Sequence, residues 1–172
     1  IRQPDSDYLA VPVVSSENRK YIPIGYLSKD IIASNQLLIV PNAEIYHFSI
    51  MSSNVHNAWM RAVAGRLKSD YRYSASIVYN NFPWISLTEK QKEKLTNTGN
   101  EIIRARGLYP EWSLSDLYNE LTMPPELRKA HQENDKAVME SYGFNWRKMT
   151  ESECVAELMT MYQDIILKEE TP

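Results

Sequence analysis

The pattern of apolar and polar positions changes near the middle of the chain. Before residue 84 the apolar residues occur in short runs or alternate with polar ones, as is typical of β-strands. Pro12 and Pro23 place two of these segments at sheet edges or bends, because proline lacks the amide hydrogen that a central strand donates. The predicted strands cover residues 8–14, 21–27, 37–40 and 44–51.

One helix is predicted within this β-rich half, over residues 55–64. Ser52 or Ser53 precedes it as the N-cap, and Gly65 follows it as the residue after the C-cap. Apolar residues such as Val55 and Trp59 share one face of this helix, whereas Arg61 lies elsewhere around it.

The second half is predicted to be helical throughout. Its start and stop signals are capping boxes at residues 88–91 and 150–153, a serine cap at 113, a proline start at 124–125 and glycines at 107 and 143. These signals divide it into four helices of unequal length. The predicted fold is therefore α+β, with a β-rich domain over residues 1–84 and a helical domain over residues 85–172.

Charge is distributed unevenly between these halves. The whole chain has a formal net charge of −3. Residues 1–84 hold eight Lys and Arg against six Asp and Glu, a charge of +2, and residues 85–172 hold eleven against sixteen, a charge of −5. Since affinity for phosphate depends on the local patch, the acidic total does not exclude nucleic acid as a ligand.

Cysteine usage and targeting signals favour a cytoplasmic protein. Cys154 is the single cysteine, which excludes an internal disulfide and fits a reducing compartment. No apolar run approaches the ~20 residues that span a bilayer, and no signal peptide is recognisable. Because the sequence begins with Ile1 rather than Met, we expect a piece of a longer protein, one that acts as a monomer away from membranes.

Most catalytic chemistry has no candidate residues in this sequence. The five glycines never fall within two residues of one another, so no Gly-rich nucleotide or cofactor loop can be built. No Cys and His cluster has zinc spacing, and packing or surface roles are expected for the three histidines. Residues 81–84 differ from the Asn-Pro-Pro-aromatic tetrad with which amino-methyltransferases hold a flipped adenine, because Phe82 occupies the second position. We interpret this motif as a hinge or a packing element between the halves.

Cations concentrate around the end of the predicted helix 55–64. Beyond Arg61, four charged residues alternate at Arg66, Lys68, Asp70 and Arg72. In an extended segment that spacing places all four on one face. Such a face suits a DNA groove, since Arg or Lys can donate to guanine O6 and N7, and Asp can accept from cytosine N4. The alternatives are a salt-bridged edge strand for the segment, and for Arg61 a bond to its helix's last carbonyls or to an acidic neighbour.

A second class of function also fits the charges. In this rival hypothesis the acidic helical half docks a protein partner, and the basic run is an internal salt-bridge network. Burial separates the two hypotheses, because cations paired with carboxylates would favour docking. Cations open to one groove would favour DNA.

Several segments resemble a known family. They are residues 18–25, 31–36, 56–74, 78–84 and 121–131, with the string from Arg61 to Ser74 as the most specific. They resemble the C-terminal part of large single-chain bacterial DNA methyltransferases, many of which are type IIG or IIL restriction–modification enzymes. The resemblance spans nearly the whole chain.

This resemblance implies a division of labour within a longer parent protein. Proteins of that family have an N6-adenine methyltransferase domain that uses S-adenosylmethionine. In some members a nuclease precedes this domain. A target-recognition domain and a helical C-terminal region follow, and this chain resembles those last two parts. The fragment itself is then expected to be catalytically inert and to bind no cofactor. Its implied partners are double-stranded DNA and the parent's own methyltransferase domain.

The resemblance also implies roles for individual residues. The family's base-reading positions lie two residues apart after a Gly-Arg-Leu element and fall here on Lys68 and Asp70. Lys68 would bind the guanine and Asp70 the cytosine of a G·C pair. Arg61, Arg66 and Arg72 would hold phosphates and fix the register on the duplex. No catalytic or metal-binding residue is expected.

Overall fold

The computed structural model of the chain describes residues 3–170. Residues 1 and 2, at the start of the chain, lie outside this range. So do residues 171 and 172, which belong to the predicted helical domain. Within residues 3–170, six strands are β1 (Tyr8–Pro12), β2 (Val14–Ser15), β3 (Gly25–Leu27), β4 (Leu37–Pro41), β5 (Gly65–Leu67) and β6 (Asp70–Arg72). Six α-helices are α1 (Ile45–Met51), α2 (Asn54–Val63), α3 (Glu89–Gly107), α4 (Leu114–Leu117), α5 (Pro125–Ser141) and α6 (Glu151–Glu170), and a π-helical turn covers Ala75–Tyr79. The fold is α+β, as predicted.

The strands form two small antiparallel sheets that share one continuous segment of chain. β1 is the central strand of the first sheet, in the order β3-β1-β4, and its residues from Tyr8 to Val11 are buried. The second sheet has the order β2-β6-β5. Val13 joins the two, since its amide donates to the Gln36 carbonyl at 3.1 Å and its carbonyl accepts from the Tyr73 amide at 2.7 Å. The second sheet is therefore held in place by the first.

Two strand predictions were wrong in part or in full. The predicted strand at residues 44–51 is helix α1, because over so short a window its apolar residues fit helical spacing as well as alternation. The Glu44 amide donates to Nδ1 of His47 at 2.9 Å, which satisfies an amide at the helix start. Of the predicted strand at residues 21–27, only Gly25–Leu27 forms a strand. The Ile22 amide instead donates to the Asn57 side chain at 2.9 Å.

The helix signals of the second half are confirmed. Thr88 and Gln91 bond each other's backbone amides with their side chains, at 3.1 and 2.9 Å, at the start of α3. Ser113 caps α4, and Pro125 is the first residue of α5. Gly143 ends α5 with a φ of +74°, a left-handed conformation that suits glycine. Local capping chemistry was enough to place these four helices.

One hydrophobic core runs through both halves. It includes residues from β1, all the longer helices and the segment that joins the halves. In that segment Phe82 is buried with its ring centroid 4.5 Å from His56 and 5.1 Å from Trp84. The Tyr142 hydroxyl donates to the Pro83 carbonyl at 3.0 Å. The interpretation of residues 81–84 as a packing element is therefore confirmed.

Buried polar groups also link the halves. Asp135 of α5 accepts hydrogen bonds from the Tyr21 hydroxyl at 2.5 Å and from the Asn54 amide at 2.9 Å. Burial raises the pKa of the Asp135 carboxyl to about 7, and it lowers the pKa of His131 well below its usual range. The hydrogen bond from the Asn54 amide ties Asp135 of α5 to the start of α2. Within residues 3–170, no helix is long and apolar enough to cross a membrane.

Candidate nucleic-acid interface

The cation-rich segment forms a β-hairpin. β5 and β6 pair antiparallel with Gly65 opposite Arg72, Arg66 opposite Tyr71 and Leu67 opposite Asp70. Lys68 and Ser69 are thus the two central residues of a tight turn. The hairpin leaves directly from the end of α2, and β6 is anchored by its pairing with β2. The arms are short and the tip, residues 66–69, is exposed.

Lys68 has an unusual backbone conformation at this tip. Its φ is +57°, and only one other non-glycine residue among those described, Asn42, also has a positive φ. A positive φ at the first central position of a two-residue hairpin loop is the pattern of a type II′ turn, which prefers glycine there. A lysine in this conformation is strained, and strain retained at an exposed tip is a feature of functional sites.

Substitutions of Lys68 should show how much stability its positive φ costs. We expect Lys68→Gly to be more stable than Lys68→Ala by about 1 kcal/mol, because glycine adopts the left-handed region without the steric penalty of a Cβ. Urea unfolding midpoints of the two variants measure this difference. Equal midpoints would show that the turn conformation costs nothing.

The predicted shared face of four charged residues is wrong, because the turn reverses the chain in the middle of the series. Cross-strand partners lie on the same face of a hairpin. Leu67, Asp70 and Arg72 therefore share one face, and Arg66 lies on the other with Tyr71. Neither lysine nor serine at the turn is a strong sequence signal for a hairpin, unlike Asn-Gly or Asp-Gly. The residue types therefore do not predict this turn.

Each face of the hairpin presents one arginine. Arg66 stacks on Tyr71, with Cζ 4.1 Å from the ring centroid, and its NH1 group donates to the Ser69 carbonyl at 2.9 Å. Arg72 is exposed on the opposite face. The stacking holds the Arg66 guanidinium against its cross-strand partner on β6, and the residue stays exposed.

Asp70 is held in place by a neighbouring strand. Its Oδ1 accepts a hydrogen bond from the Glu17 amide at 3.3 Å, just beyond the end of β2. The side chain is half-buried, whereas Lys68 is exposed. One carboxylate oxygen is thus positioned by the backbone of the second sheet, close to the tip.

The three exposed cations of the hairpin have no carboxylate partner. Within residues 3–170, none of Arg66, Lys68 and Arg72 has an Asp or Glu oxygen at ion-pair distance. A salt-bridged edge strand is therefore not what these residues form. The lack of carboxylate partners goes against the docking hypothesis, whereas the opposite faces of Arg66 and Arg72 do not give the single groove expected for DNA.

Arg61 differs from these three. Its Nε donates to Glu151 Oε1 at 3.0 Å, its NH2 group is ion-paired with the same oxygen, and its NH1 group donates to the Lys20 carbonyl at 3.1 Å. Only 20% of its side chain is exposed. The structure therefore gives Arg61 the acidic neighbour that the sequence left open, and this ion pair ties α2 to the start of α6.

A buried polar contact supports the base of the hairpin. The His56 ring Nε2 lies 2.8 Å from the Tyr73 hydroxyl, and both side chains are buried. Burial lowers the pKa of His56 to about 3, so its ring is neutral near neutral pH. The Trp59 indole donates to the Val78 carbonyl at 3.0 Å. These contacts fix the end of β6 against α2, and they confirm a packing role for His56.

The order of elements and the exposed hairpin agree with comparisons to known proteins. A family model described as "MmeI, target recognition domain" matches residues 1–86, and one described as "MmeI, C-terminal domain" matches residues 87–168. The chain belongs to the MmeI family. The hairpin lies within the part matched by the target recognition domain, and α3 to α6 fall almost entirely within the C-terminal domain.

Two relatives of this MmeI-family chain are much longer than it is. DNA methyltransferase A of Bacillus subtilis (strain 168) is 42% identical over 159 residues, which cover 91% of this chain and 18% of the relative. A solved structure of the type IIL restriction–modification enzyme MmeI in complex with DNA is 50% identical, with a TM-score of 0.92, and the match covers 96% of this chain and 22% of that one. The chain spans about a fifth of the length of these relatives.

Proposed function

We propose that this MmeI-family chain selects the DNA sequence on which a longer methyltransferase acts. The observation that carries the proposal is the exposed β5–β6 hairpin, with three unpaired cations and one positioned carboxylate at its tip. A two-stranded ribbon fits the major groove of B-DNA, where base pairs present distinct donor and acceptor patterns. The solved relative that is a complex with DNA supports duplex DNA as the ligand.

In this proposal the residues of the hairpin divide into two groups. Lys68 at the tip donates to a guanine, and Asp70 beside it accepts from the paired cytosine. Arg66 and Arg72 lie on opposite faces of the ribbon. Each therefore contacts the phosphates on one side of the groove. We leave Arg61 out of the DNA-contacting set, because its donors are used by Glu151 and Lys20.

The remainder of the parent would supply the chemistry. We propose that the parent methylates adenine with S-adenosylmethionine and that residues 85–172 brace residues 1–84 against its methyltransferase domain. In this proposal the chain itself holds no cofactor, and the positions of its glycines support this: Gly25 and Gly65 lie in strands, Gly99 and Gly107 in α3, and Gly143 after α5. None forms a strand-to-helix loop for a nucleotide. A cytoplasmic location and a monomeric state stay predictions.

Removing the charge of Arg66 tests the proposed contact with phosphate. In the full-length protein we expect Arg66→Ala to weaken binding to every duplex and to reduce the slope of log affinity against log salt by about 0.9, the share of one phosphate contact. Arg66→Lys keeps the charge and should keep the slope. Binding of a cognate and a scrambled duplex at several salt concentrations measures both. A slope that Arg66→Ala leaves unchanged would remove this residue from the interface.

A further inference from the structure

A second basic surface lies outside the target recognition domain, in the loop between α5 and α6. Trp146 is exposed there, and two cations flank its indole: Lys136 Nζ lies 4.4 Å and Arg147 Cζ 5.0 Å from the ring centroid. Lys148 follows and is also exposed. Within residues 3–170, none of these three cations has a carboxylate at ion-pair distance.

This loop is fixed rather than free to adapt. The Lys148 and Met149 amides donate to the Asn145 carbonyl, at 3.2 and 2.9 Å. Thr150 and Glu153 then close a reciprocal capping box at the start of α6. The indole holds Arg147 and the Lys136 ammonium at its faces. Lys136 and Arg147 are thus positioned before any ligand arrives, which reduces the entropy lost on binding.

The loop lies at the same end of the molecule as the hairpin. Glu151, the first residue of α6, is ion-paired with Arg61 in the last turn of α2. The hairpin leaves from that end of α2 at Gly65. One turn of duplex is about 34 Å long, and this is the length over which one DNA molecule would have to bridge the two surfaces.

We propose that Arg147, which stacks with Lys136 on Trp146, and the neighbouring exposed Lys148 form a second contact with the phosphate backbone of duplex DNA. This inference rests on the proposed function of the hairpin. Base reading is assigned to the hairpin, so this cluster would hold phosphates, which positions the duplex and does not select its sequence. The helical C-terminal domain therefore contributes directly to affinity, beyond supporting the recognition domain.

Salt-dependent binding of the full-length protein to its cognate duplex tests this surface. We expect Arg147→Gln with Lys148→Gln to reduce the slope of log affinity against log salt by about 1.8, the share of two phosphate contacts. Between 50 and 200 mM salt, the unmodified protein would then lose about tenfold more affinity than the variant. Lys148→Gln alone leaves the indole stack intact and should give half the change in slope. The methylated sequence should stay the same in both.

A matched control separates this contact from a general loss of charge. Lys168→Gln removes an exposed cation near the other end of α6, 17 residues from Glu151 and so about 25 Å along the helix. It should leave the slope unchanged. If the double variant also leaves the slope unchanged while Arg66→Ala lowers it, the second contact does not exist and the hairpin proposal stands. If the affinity of the unmodified protein does not depend on salt, the proposed function itself fails.

One further outcome would reassign the surface. The loop would instead dock on the rest of the parent protein if the double variant kept the slope but lost methylation at all sites. That result would overturn phosphate as the ligand of Trp146 and its cations.

Discussion

Exchanging the charges of Lys68 and Asp70 is expected to change which base pair the full-length protein accepts. In the variant Lys68→Glu with Asp70→Arg, the new arginine can donate to guanine O6 and N7, and the new glutamate can accept from cytosine N4. The guanine and cytosine of one G·C pair should therefore exchange strands in the recognised sequence. Activity should persist, because neither residue belongs to the catalytic machinery proposed for the parent.

The two single variants should behave differently from the double. Lys68→Glu alone places two acceptors against the G·C pair, so the guanine loses its donor. Asp70→Arg alone places two donors there, so the cytosine loses its acceptor. Each good bidentate contact contributes about 1–3 kcal/mol of discrimination. We therefore expect each single variant to methylate the original sites roughly tenfold to a hundredfold less, as follows from that range. The double variant should recover activity on the exchanged pair.

The structure supplies a control within the same turn. Ser69 is the second central residue of the hairpin loop, it is exposed, and its carbonyl rather than its side chain is bonded to Arg66. Ser69→Ala should leave the recognised sequence unchanged. Mapping methylated adenines in DNA from cells that express each full-length variant gives the result directly. Methylation of the original sites by the double variant would show that Lys68 and Asp70 do not read this pair.

The hairpin also shows why the four charged residues were predicted on one face although the structure divides them between two. Cations spaced two apart indicated one face of an extended segment, and that inference requires the chain to stay extended from Arg66 to Arg72. Lys68 adopts a positive φ without being glycine, so the residue types carry no signal for the turn. What holds the turn is the pairing of β6 with β2, more than fifty residues away along the chain.

Local signals and long-range contacts account for the other successes and failures. Capping boxes act within four residues, and they placed the starts of α3 and α6 correctly. The partner of Arg61 is Glu151, ninety residues later, and nothing in the sequence around Arg61 identifies it. The helix at Ile45–Met51 was missed because its seven residues are too few to separate helical from alternating spacing. Tertiary packing against α3 decides that segment.

That packing depends on a glycine in the middle of α3. A Cβ built on Gly99 would lie 2.8 Å from Ile45 Cγ2, 3.2 Å from the Ile45 carbonyl oxygen and 3.4 Å from the Ser49 Cβ. All three atoms belong to α1, two of them on or next to its backbone, and Ser49 is further held by hydrogen bonds to Asn134 of α5. The two helices therefore approach too closely for any other residue to fit without a shift.

We expect Gly99→Ala to lower the free energy of unfolding by about 1–2 kcal/mol. Overpacking of a well-packed site costs about 1–3 kcal/mol, and the better helix propensity of alanine offsets at most about 1 kcal/mol of that. Gly107→Ala in the same helix is the matched control, because a Cβ there meets no atom within 4 Å. It should gain stability from propensity alone, so the two glycine-to-alanine changes should shift the urea midpoint in opposite directions. If Gly99→Ala were as stable as Gly107→Ala, the close approach of α1 and α3 would not constrain this fold.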